Sequence, residues 1–378
     1  MSTSSKNRVA IIYDGFPHYR EGVIEALCQS ETFRYYFFCD NQYRDRSIPL
    51  YSFKAAQEVI RTRSVSIGPL YIQFGILRQI FKKDIYHCVF LGNPYFLSYW
   101  LIAPLLRISG KKVYFWTHGW ISDCESSFNR RLRNLFYRLA NHLLLYGGRA
   151  QKIGQNYGFP ASHMTVIGNS LNYSLQKRLL ASLSDVSQDA LRLQFGLPLD
   201  KKIIICTARI TNKCRFDLLI EAVRFLGDAG KGFYILFIGE GPEVERLKKH
   251  ALQANVGCKF MGACYEEEKI AKLYKASDLT VSPGKVGLTS IHSMAYGTPV
   301  ITHDNFDRQM PEYEVVLPNQ TGAFFEENSS QDLASVILEW FSKHPIKPEK
   351  NCISLVESGY TPEFQRQAIE SALLSEIK

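Results

Sequence analysis

Short apolar runs of strand-forming residues alternate with stretches of helical period along the chain, and this alternation starts twice. In the first half, the strand-like runs lie at 7–13, 33–39, 85–91, 112–117, 142–146 and 164–167. In the second half, they lie at 202–207, 233–238, 258–261, 279–282 and 299–302. Strands that alternate with helices form parallel sheets with helices on both faces. The pattern therefore predicts an α/β protein with two doubly wound sheets.

Helical segments separate the strand-like runs. Residues 21–29 and 129–140 have helical periodicity in the first half. In the second half, helices are expected to begin near Arg215, Pro242, Glu267 and Gly287.

Length also indicates two domains, because 378 residues with 46% hydrophobic content exceed one ordinary core. The expected connection lies within residues 172–202, which are polar and helical and contain no strand-like run. We therefore predict a first Rossmann-like domain over 1–175 and a second over 176–362.

Both ends of the chain carry local signals. Residues 363–378 are expected to form a helix that packs back on the first domain. Thr361 suits the N-cap of this helix, and Pro362 suits its first turn. The polar residues 1–6 are expected to be disordered, and they lead directly into a strand-like run, so no secretory signal is predicted.

Cysteine usage indicates the compartment. The nine cysteines are an odd number, no CxxC pair occurs, and no Cys/His cluster has the spacing of zinc ligands. We expect a reduced, metal-free protein in the cytoplasm, at most peripheral on the inner face of the membrane.

The net positive charge lies in the first half. The net charge is +9, and residues 1–175 contain 21 Lys and Arg against 10 Asp and Glu. Such a surface can face nucleic acid, an anionic membrane or an anionic substrate. Nucleic acid is the least expected partner, because no nucleic-acid-binding motif occurs and the aromatic residues lie in core-like runs.

Two segments bear on membrane contact. Residues 128–139 form a basic amphipathic helix that can lie on anionic lipid, although an ordinary surface helix with solvated arginines explains them equally well. Its apolar stripe consists of Leu132, Leu135, Phe136 and Leu139.

Residues 85–106 are 22 positions without a formal charge, close to the length of a bilayer span. The triplet 92–94, Gly-Asn-Pro, divides them into a buried strand and a helix over 95–108.

The turns that follow the strands are the candidate site, because open α/β sheets bind ligands outside the carboxyl ends of their strands. Three cations, Arg209, Lys213 and Arg215, follow the run at 202–207. A guanidinium can grip two phosphate oxygens and an ammonium adds a point charge, so the group suits a diphosphate. A solvated loop is the alternative.

Glycine-containing turns follow the strand-like runs at 233–238 and 279–282. Gly239 and Gly241 follow the first of these runs and allow close approach of the backbone. The turn at 283–287 ends in Gly287, where a helix begins, and the free N–H groups and dipole of a helix start suit a phosphate. His292 lies about one and a half turns into that helix, and a packing histidine is the alternative.

In their order and spacing, these segments resemble the nucleotide-binding domain of retaining family 4 glycosyltransferases, which have the GT-B fold. The resemblance extends from residue 203 to residue 322, includes the Pro-Glu pair at 311–312 and the Thr-Gly pair at 321–322, and is looser in the first half. It implies two Rossmann-like domains facing across a cleft. It also implies transfer of a sugar from a nucleotide-diphosphate donor to a glycan or lipid-linked acceptor, with retention and without metal or other cofactor, in surface-polysaccharide or glycolipid synthesis.

The resemblance also implies roles for single residues of the second half. Arg209 and Lys213 would hold the donor diphosphate, and the segment 260–262 would line the base. The implied donor-binding residues are Gly119, Arg215, Gly239, Gly241, Met261, Gly262, Gly284, Lys285, Gly287, Leu288, Thr289 and His292.

The chain departs from the family at three positions. The family's paired glutamates, one at the donor sugar and one at the ribose, fall on Gly284 and His292, so neither carboxylate is present. An imidazole at 292 can still hydrogen-bond a ribose. Cys214 occupies the family's lysine position, for which Lys213 or Arg215 would substitute by a small shift.

In the first half, His118 and Gly119 follow the run at 112–117, where the family places a histidine and a glycine near the donor sugar and phosphates. His118 is therefore predicted to act in catalysis with Arg209 and Lys213, and a core histidine is the alternative. The predicted acceptor-side residues lie in the first turn and are Gly15, His18 and Arg20.

Two other functions stay open. A nucleotide-sugar epimerase or a phosphorylase shares the architecture, but an epimerase of that fold needs cleft carboxylates, and no clear pair stands at the strand ends. A non-catalytic partner that binds a nucleotide sugar is compatible with the absent glutamates.

Overall fold

The computed structural model describes residues 7–40, 49–122 and 126–376, which belong to two compact units. One unit comprises Met1–Asn172 together with Thr361–Lys378, and the other comprises Tyr173–Tyr360. The expectation of disorder for residues 1–6 lies outside the described residues, as does Cys124.

A seven-stranded parallel sheet forms the centre of the first unit. Its strands are β1 (Arg8–Ile12), β2 (Arg34–Cys39), β3 (Val59–Arg61), β6 (His87–Leu91), β7 (Lys112–Thr117), β8 (His142–Leu145) and β9 (Met164–Val166), in the order β3-β2-β1-β6-β7-β8-β9. An antiparallel hairpin of β4 (Arg63–Ile67) and β5 (Leu70–Phe74) forms a separate small sheet.

Helices cover both faces of this sheet. They are α1 (Glu21–Cys28), α2 (Ile76–Lys82), α3 (Leu97–Ile108), α4 (Ser127–Tyr137), α5 (Gly148–Asn156) and the last helix of the chain, α14 (Pro362–Ser375). Buried residues of α2 to α5 pack with one face of the strands, and buried residues of α1 and α14 pack with the other. The C-terminal helix is therefore part of the core of the first unit.

A six-stranded parallel sheet forms the centre of the second unit. Its strands are β10 (Lys202–Thr207), β11 (Phe233–Ile238), β12 (Cys258–Phe260), β13 (Leu279–Ser282), β14 (Val300–His303) and β15 (Gly322–Phe325), in the order β12-β11-β10-β13-β14-β15. The chain order reverses between β10 and β13, which is the topological switch point of this sheet.

The helices of the second unit also lie on both faces of the sheet. They are α6 (Tyr173–Ser182), α7 (Gln188–Gln194), α8 (Phe216–Phe225), α9 (Val244–Gln253), α10 (Glu267–Ala276), α11 (Leu288–Ala295), α12 (Ser330–Lys343) and α13 (Glu349–Gly359). One apolar cluster joins α8, α9 and α12 to the strands, and another joins α7 and α10 to the opposite face.

The prediction of two doubly wound parallel sheets is confirmed, and the predicted strands lie within two residues of their expected positions. The predicted start of the last helix is also confirmed, since the Thr361 hydroxyl accepts a hydrogen bond from the Phe364 backbone N–H at 3.1 Å. The uncharged stretch at 85–106 forms β6 and most of α3. Across the described ranges, no helix has both the length and the apolar character that a membrane span needs.

Candidate functional site at the switch point of the second sheet

The loops that follow β10 and β13 meet at the switch point. The Thr289 hydroxyl, at the start of α11, donates a hydrogen bond to the Thr207 carbonyl at the end of β10, over 3.1 Å. The Gly284 backbone N–H donates to the Cys214 carbonyl over 3.0 Å. These contacts place the start of α11 beside the cation-containing loop, at the edge where sheets of this kind bind ligands.

Gly284 lies where the two loops approach most closely. A Cβ at this position would overlap the Lys213 carbonyl oxygen and stand 2.9 Å from the Cys214 carbonyl carbon. Real Cβ atoms essentially never come so close to backbone. This backbone therefore has no room for a side chain at 284.

Gly239 and Gly241 make a second close approach between loops. A Cβ on Gly239 would overlap the Ala208 carbonyl, and one on Gly241 would overlap the Ile210 carbonyl. The Ile210 N–H donates to the Glu240 carbonyl over 2.8 Å and fixes the same junction. The close backbone approach predicted for these glycines is therefore made to the neighbouring loop.

Of the three cations after β10, two are exposed, and the third, Arg215, is held by neighbouring side chains. Arg209 and Lys213 are exposed. The Arg215 guanidinium donates to the Asn328 side-chain carbonyl and lies 3.4 Å from an Asp217 carboxylate oxygen. The structure therefore does not place Arg215 with the other two cations, because its guanidinium is held by these neighbours.

Cys214 turns its thiol back into the loop, where Sγ donates to the Arg209 carbonyl over 3.1 Å. Lys213 is close enough to Lys285 for the two ammonium groups to interact electrostatically. Partial burial lowers the pKa of Lys285, the positive charge of Lys213 lowers it further, and Glu312 opposes the shift. Two mutually repelling ammonium groups favour an anion between them. That Lys213 substitutes for the family's lysine stays a prediction, whereas the guanidinium of Arg215 is held by Asn328 and Asp217.

The start of α11 completes this end of the site. Gly287 is its N-cap, and a Cβ there would meet only Met310 Cγ, at 4.0 Å. The first N–H groups of a helix, here those of Leu288 and Thr289, have no partner within the helix and can bind an anion. Gly287, Leu288, Thr289, Lys213 and Lys285 are therefore brought together as predicted residues of one anion-binding region.

Met261 and Gly262 follow β12 at the same edge. The Met261 N–H donates to the Phe237 carbonyl over 2.9 Å, and the Gly262 carbonyl accepts from the Gly239 N–H over 2.8 Å. Gly262 has φ +75°, a conformation that favours glycine. Both residues are half-buried, and their predicted place beside the base stays a prediction.

His292 belongs to a hydrogen-bond network rather than to an open position. Its Nε2 lies 2.8 Å from Glu267 Oε1, and its ring packs against the rings of Tyr274 and Tyr296 at centroid distances of 5.4 and 5.7 Å. The sequence reading did not identify Glu267 as a site residue. Three consecutive glutamates at 266–268 begin α10, and sequence alone does not show which of them turns toward α11.

In the first unit, His118 and Gly119 lie at the carboxyl end of β7. The His118 ring packs on the Tyr146 ring with centroids 4.7 Å apart. Gly119 has φ +67°, and a Cβ there would stand 2.9 Å from Leu145 Cδ2. Its carbonyl accepts from Arg133 Nη1 over 3.1 Å. This residue must be glycine for the chain to turn after β7.

The predicted acceptor-side residues differ in exposure. Gly15 is buried, and His18 is exposed with Nδ1 3.3 Å from the Pro49 carbonyl. Arg20 is only 7% exposed. Its guanidinium donates to Asn169 Oδ1 over 3.1 Å and to the Tyr146 hydroxyl. The head group of Arg20 is thus enclosed and bound by protein, and its acceptor-side role stays a prediction.

No site for a metal is present in the part of the chain that the structure describes, since no three His, Cys, Asp or Glu side chains converge there. All eight described cysteines are free thiols.

Comparison with known proteins agrees with this geometry. Residues 187–355 match the family described as glycosyl transferases group 1. The chain is 25% identical over 128 residues to the 2-deoxystreptamine glucosyltransferase of Streptomyces kanamyceticus. That match covers 32% of this chain and 33% of the relative, so the chain spans about a third of the relative's length.

Solved structures match over nearly the whole chain. A glycosyltransferase from Rickettsia africae has a TM-score of 0.74 at 17% identity, with 98% of each chain covered. The Anabaena HepE protein in complex with UDP and glucose has a TM-score of 0.66 at 17% identity, with 98% of this chain and 99% of that chain covered. The chain therefore has the GT-B fold of two Rossmann-like domains, and the group 1 match supports a glycosyl transfer role.

Proposed function

We propose that this protein transfers a hexosyl group from a nucleoside-diphosphate sugar to a glycan or lipid-linked acceptor, with retention and without a metal ion. The observation that carries the proposal is the anion-binding region at the switch point, where the loop that contains Lys213 contacts the loop that leads through Lys285 into α11. A diphosphate is the anion that matches two ammonium groups beside a helix start.

In the proposed reaction, the bond between the anomeric carbon and the diphosphate oxygen breaks as the acceptor oxygen attacks from the same face. The departing phosphate oxygen takes the acceptor's proton, so charge and atoms balance. Arg209, Lys213 and the N–H groups at the start of α11 stabilise the negative charge that develops on the leaving group. His118, at the carboxyl end of β7, is the group that we propose for catalysis in the first unit.

UDP is the nucleotide that we propose for the donor, because the HepE structure was solved with UDP and glucose. The test is calorimetric titration and thermal shift with UDP, GDP, ADP, dTDP and CMP, followed by turnover of the matching sugar nucleotides. Arg209→Ala and Lys213→Ala are each expected to lower kcat/KM by about 100-fold or more, the cost of losing one donor to a developing oxyanion.

Arg224→Ala and Lys231→Ala are the matched controls, because these cations pair with Glu221 and Asp228. Full turnover by Arg209→Ala and Lys213→Ala would contradict the role of the anion-binding region.

Peripheral contact with an anionic membrane is a further part of the proposal. Helix α3 exposes a row of Leu97, Leu101, Leu105 and Ile108, of which Leu101 is 71% and Ile108 84% exposed. Arg107 Nη1 donates to the Arg138 carbonyl over 2.9 Å and ties this row to the end of α4. An apolar row flanked by arginines is complementary to anionic lipid.

The predicted apolar stripe of α4 is only partly exposed. Phe136 is fully buried in the core, and Leu139 packs against it, whereas Phe128, Leu132 and Leu135 are exposed. Leu101→Glu is expected to reduce sedimentation with vesicles containing anionic lipid, and Leu252→Glu, at an exposed leucine of the second unit, is the matched control. Unchanged sedimentation, or a change confined to oligomeric state, would contradict membrane contact.

A non-catalytic protein that binds nucleotide sugars is the second candidate, favoured by the lack of space for a carboxylate at Gly284. Nucleotide binding without turnover over a broad set of acceptors would support it, whereas any sugar transfer would exclude it.

A further inference from the structure

Gln309 lies in the connection between β14 and β15, and it is only 1% exposed. Its Oε1 accepts a hydrogen bond from the Val286 backbone N–H at 2.8 Å. Its Nε2 donates to the Thr302 hydroxyl at 2.8 Å and to the His303 carbonyl at 3.0 Å. An N–H only donates and a carbonyl only accepts, so the two ends of this amide cannot be exchanged. The amide oxygen is therefore directed at the loop between β13 and α11.

This loop is anchored on both sides of Lys285. On one side, the Gly284 N–H donates to the Cys214 carbonyl over 3.0 Å. On the other side, Val286 is fully buried and its N–H is held by Gln309. Lys285, between the two anchored residues, is exposed. The two anchors thus determine where the backbone of Lys285 lies in the anion-binding region.

The anchor at Gln309 rests on the ends of two strands. The Thr302 hydroxyl, which accepts from Gln309, donates in turn to the Ser282 carbonyl over 2.9 Å. Thr302 belongs to β14, and Ser282 is the last residue of β13. One buried amide therefore connects the Val286 backbone to both strands.

The segment 309–312 makes a second contact with the start of α11. Ser290 is fully buried, and its hydroxyl lies 2.9 Å from the Gly287 carbonyl oxygen and 3.0 Å from the Glu312 carbonyl oxygen. The first N–H groups of a helix point along its axis, so an anion bound there requires a fixed axis direction. The segment 309–312 thus supports both the loop and the helix start that carry the anion-binding groups.

We propose that Gln309 is a positioning residue for the donor diphosphate: it holds the Val286 backbone so that Lys285 and the first N–H groups of α11 act on the same phosphate groups. The inference rests on the proposed function and adds a residue that does not itself touch the donor. Gln309 should therefore affect the affinity for phosphate groups and leave the affinity for the nucleoside part unchanged, because the loop that it holds carries phosphate-binding groups.

The experiment titrates the full-length protein with UDP, or whichever nucleoside diphosphate binds, by calorimetry and with the corresponding nucleoside by NMR. Gln309→Met keeps a neutral side chain of similar length but cannot accept from the Val286 N–H. It is expected to weaken diphosphate binding about tenfold, the upper range for one lost hydrogen bond, and to leave nucleoside binding unchanged. Gln365→Met is the matched control, because Gln365 is also 1% exposed and its amide bonds to Ser170 and Gly168 in the first unit. It should leave both affinities unchanged.

Gln309→Glu tests rescue by pH. Burial without a cation raises the pKa of a carboxyl by several units, so the new carboxyl is expected to be neutral at pH 6 and ionised at pH 8. The neutral form can accept from Val286 and donate to His303, as the amide does, and should bind the diphosphate almost as tightly as the wild type. The ionised form faces the His303 carbonyl oxygen without a proton to donate, and its affinity is expected to fall about tenfold. The wild type at both pH values accounts for titration of the nucleotide phosphate and of neighbouring His303, Glu312 and Lys285.

A thermal unfolding measurement accompanies each variant, and the pH comparison on Gln309→Glu remains the test should Gln309→Met unfold. Unchanged diphosphate affinity in Gln309→Met, or an equal loss for diphosphate and nucleoside, would overturn the role of Gln309 alone. The same follows if Gln309→Glu is weaker than the wild type by one factor at pH 6 and pH 8. Failure of every nucleoside diphosphate to bind the wild type would overturn the proposed function and this inference with it.

Discussion

Residue 284 has space for a hydrogen atom and nothing larger, because the loop after β10 passes directly beside it. Backbone packs on backbone here, so the cost of a side chain cannot be relieved by rotation of a neighbouring side chain. The same holds at Gly239 and Gly241, where two carbonyl groups of the β10 loop close the junction. Glycine at these positions determines how close the three loops of the anion-binding region lie.

Gly284→Ala is therefore expected to destabilise the protein by about 1–3 kcal/mol, the usual cost of overpacking. It should also weaken nucleotide binding, because the loop that carries Lys213 must move. Gly232→Ala is the control, since a Cβ at 232 meets nothing within 4 Å. Denaturant unfolding and nucleotide titration measure the two effects, and equal stability of both variants would contradict the account of Gly284.

Single-residue roles could be predicted from sequence where the partners of the residue lie within a few positions of it. The N-cap of the last helix needs only Thr361 and its three following residues, and it was predicted correctly. The partners of His292 and Arg20 were not foreseen, because they are distant in sequence. Glu267 is 25 residues from His292, and Asn169 is 149 residues from Arg20. No periodicity or spacing reveals such pairs.

At the scale of single elements, a buried ion pair adds to the apolar cluster that joins α7 to the second sheet. Arg192 Nη2 lies 2.6 Å from Asp278 Oδ2, which also accepts the Ile203 backbone N–H at 2.7 Å. Asp278 precedes β13, and Ile203 lies in β10. The carboxylate thus joins α7 to the two strands that form the switch point.

Asp278→Ala is expected to destabilise the second unit by about 3–5 kcal/mol, because it leaves the Arg192 guanidinium buried without its counter-charge. Glu245→Ala, which removes an exposed pair with Lys248, is expected to change stability by less than about 1 kcal/mol. Guanidinium unfolding curves provide the comparison. Similar midpoints for the two variants would show that the buried pair does not hold α7.

All central strands of the two parallel sheets were predicted from sequence, as were the edge strands β9 and β12, whereas the edge strands β3 and β15 and the β4–β5 hairpin were missed. β15 begins with Gly322, where a Cβ would overlap the Val300 carbonyl of β14, so the close approach requires a residue with low strand propensity. β3 has only three residues, and the β4–β5 hairpin is largely exposed and contains polar residues. These elements are specified by pairing with neighbours that the local sequence does not show.

At the scale of the whole molecule, the two units have different surfaces. The first half carries the net positive charge, and the exposed row on α3 belongs to the same unit. The nucleotide-binding features argued above belong to the other unit. The proposed membrane surface and the proposed donor site therefore belong to units with separate hydrophobic cores. Membrane contact by the first unit would leave the core of the second unit unchanged.

Because the two units have separate cores, a substitution in the last helix can show which unit this helix stabilises. Ile369, Ala372 and Leu373 of α14 are buried in the core of the first unit, and Gln365 Nε2 donates to the Gly168 carbonyl over 2.7 Å. Leu373→Ala should lower the free energy of unfolding by about 2–5 kcal/mol, as expected for a buried leucine.

The effect of Leu373→Ala should be confined to the first unit, with faster amide hydrogen exchange in β8 and β9 and unchanged exchange in β10 and β13. Leu374→Ala is the control, because Leu374 is 46% exposed. Faster exchange in β10 and β13 with Leu373→Ala would mean that α14 also supports the second core and that the two units do not unfold separately.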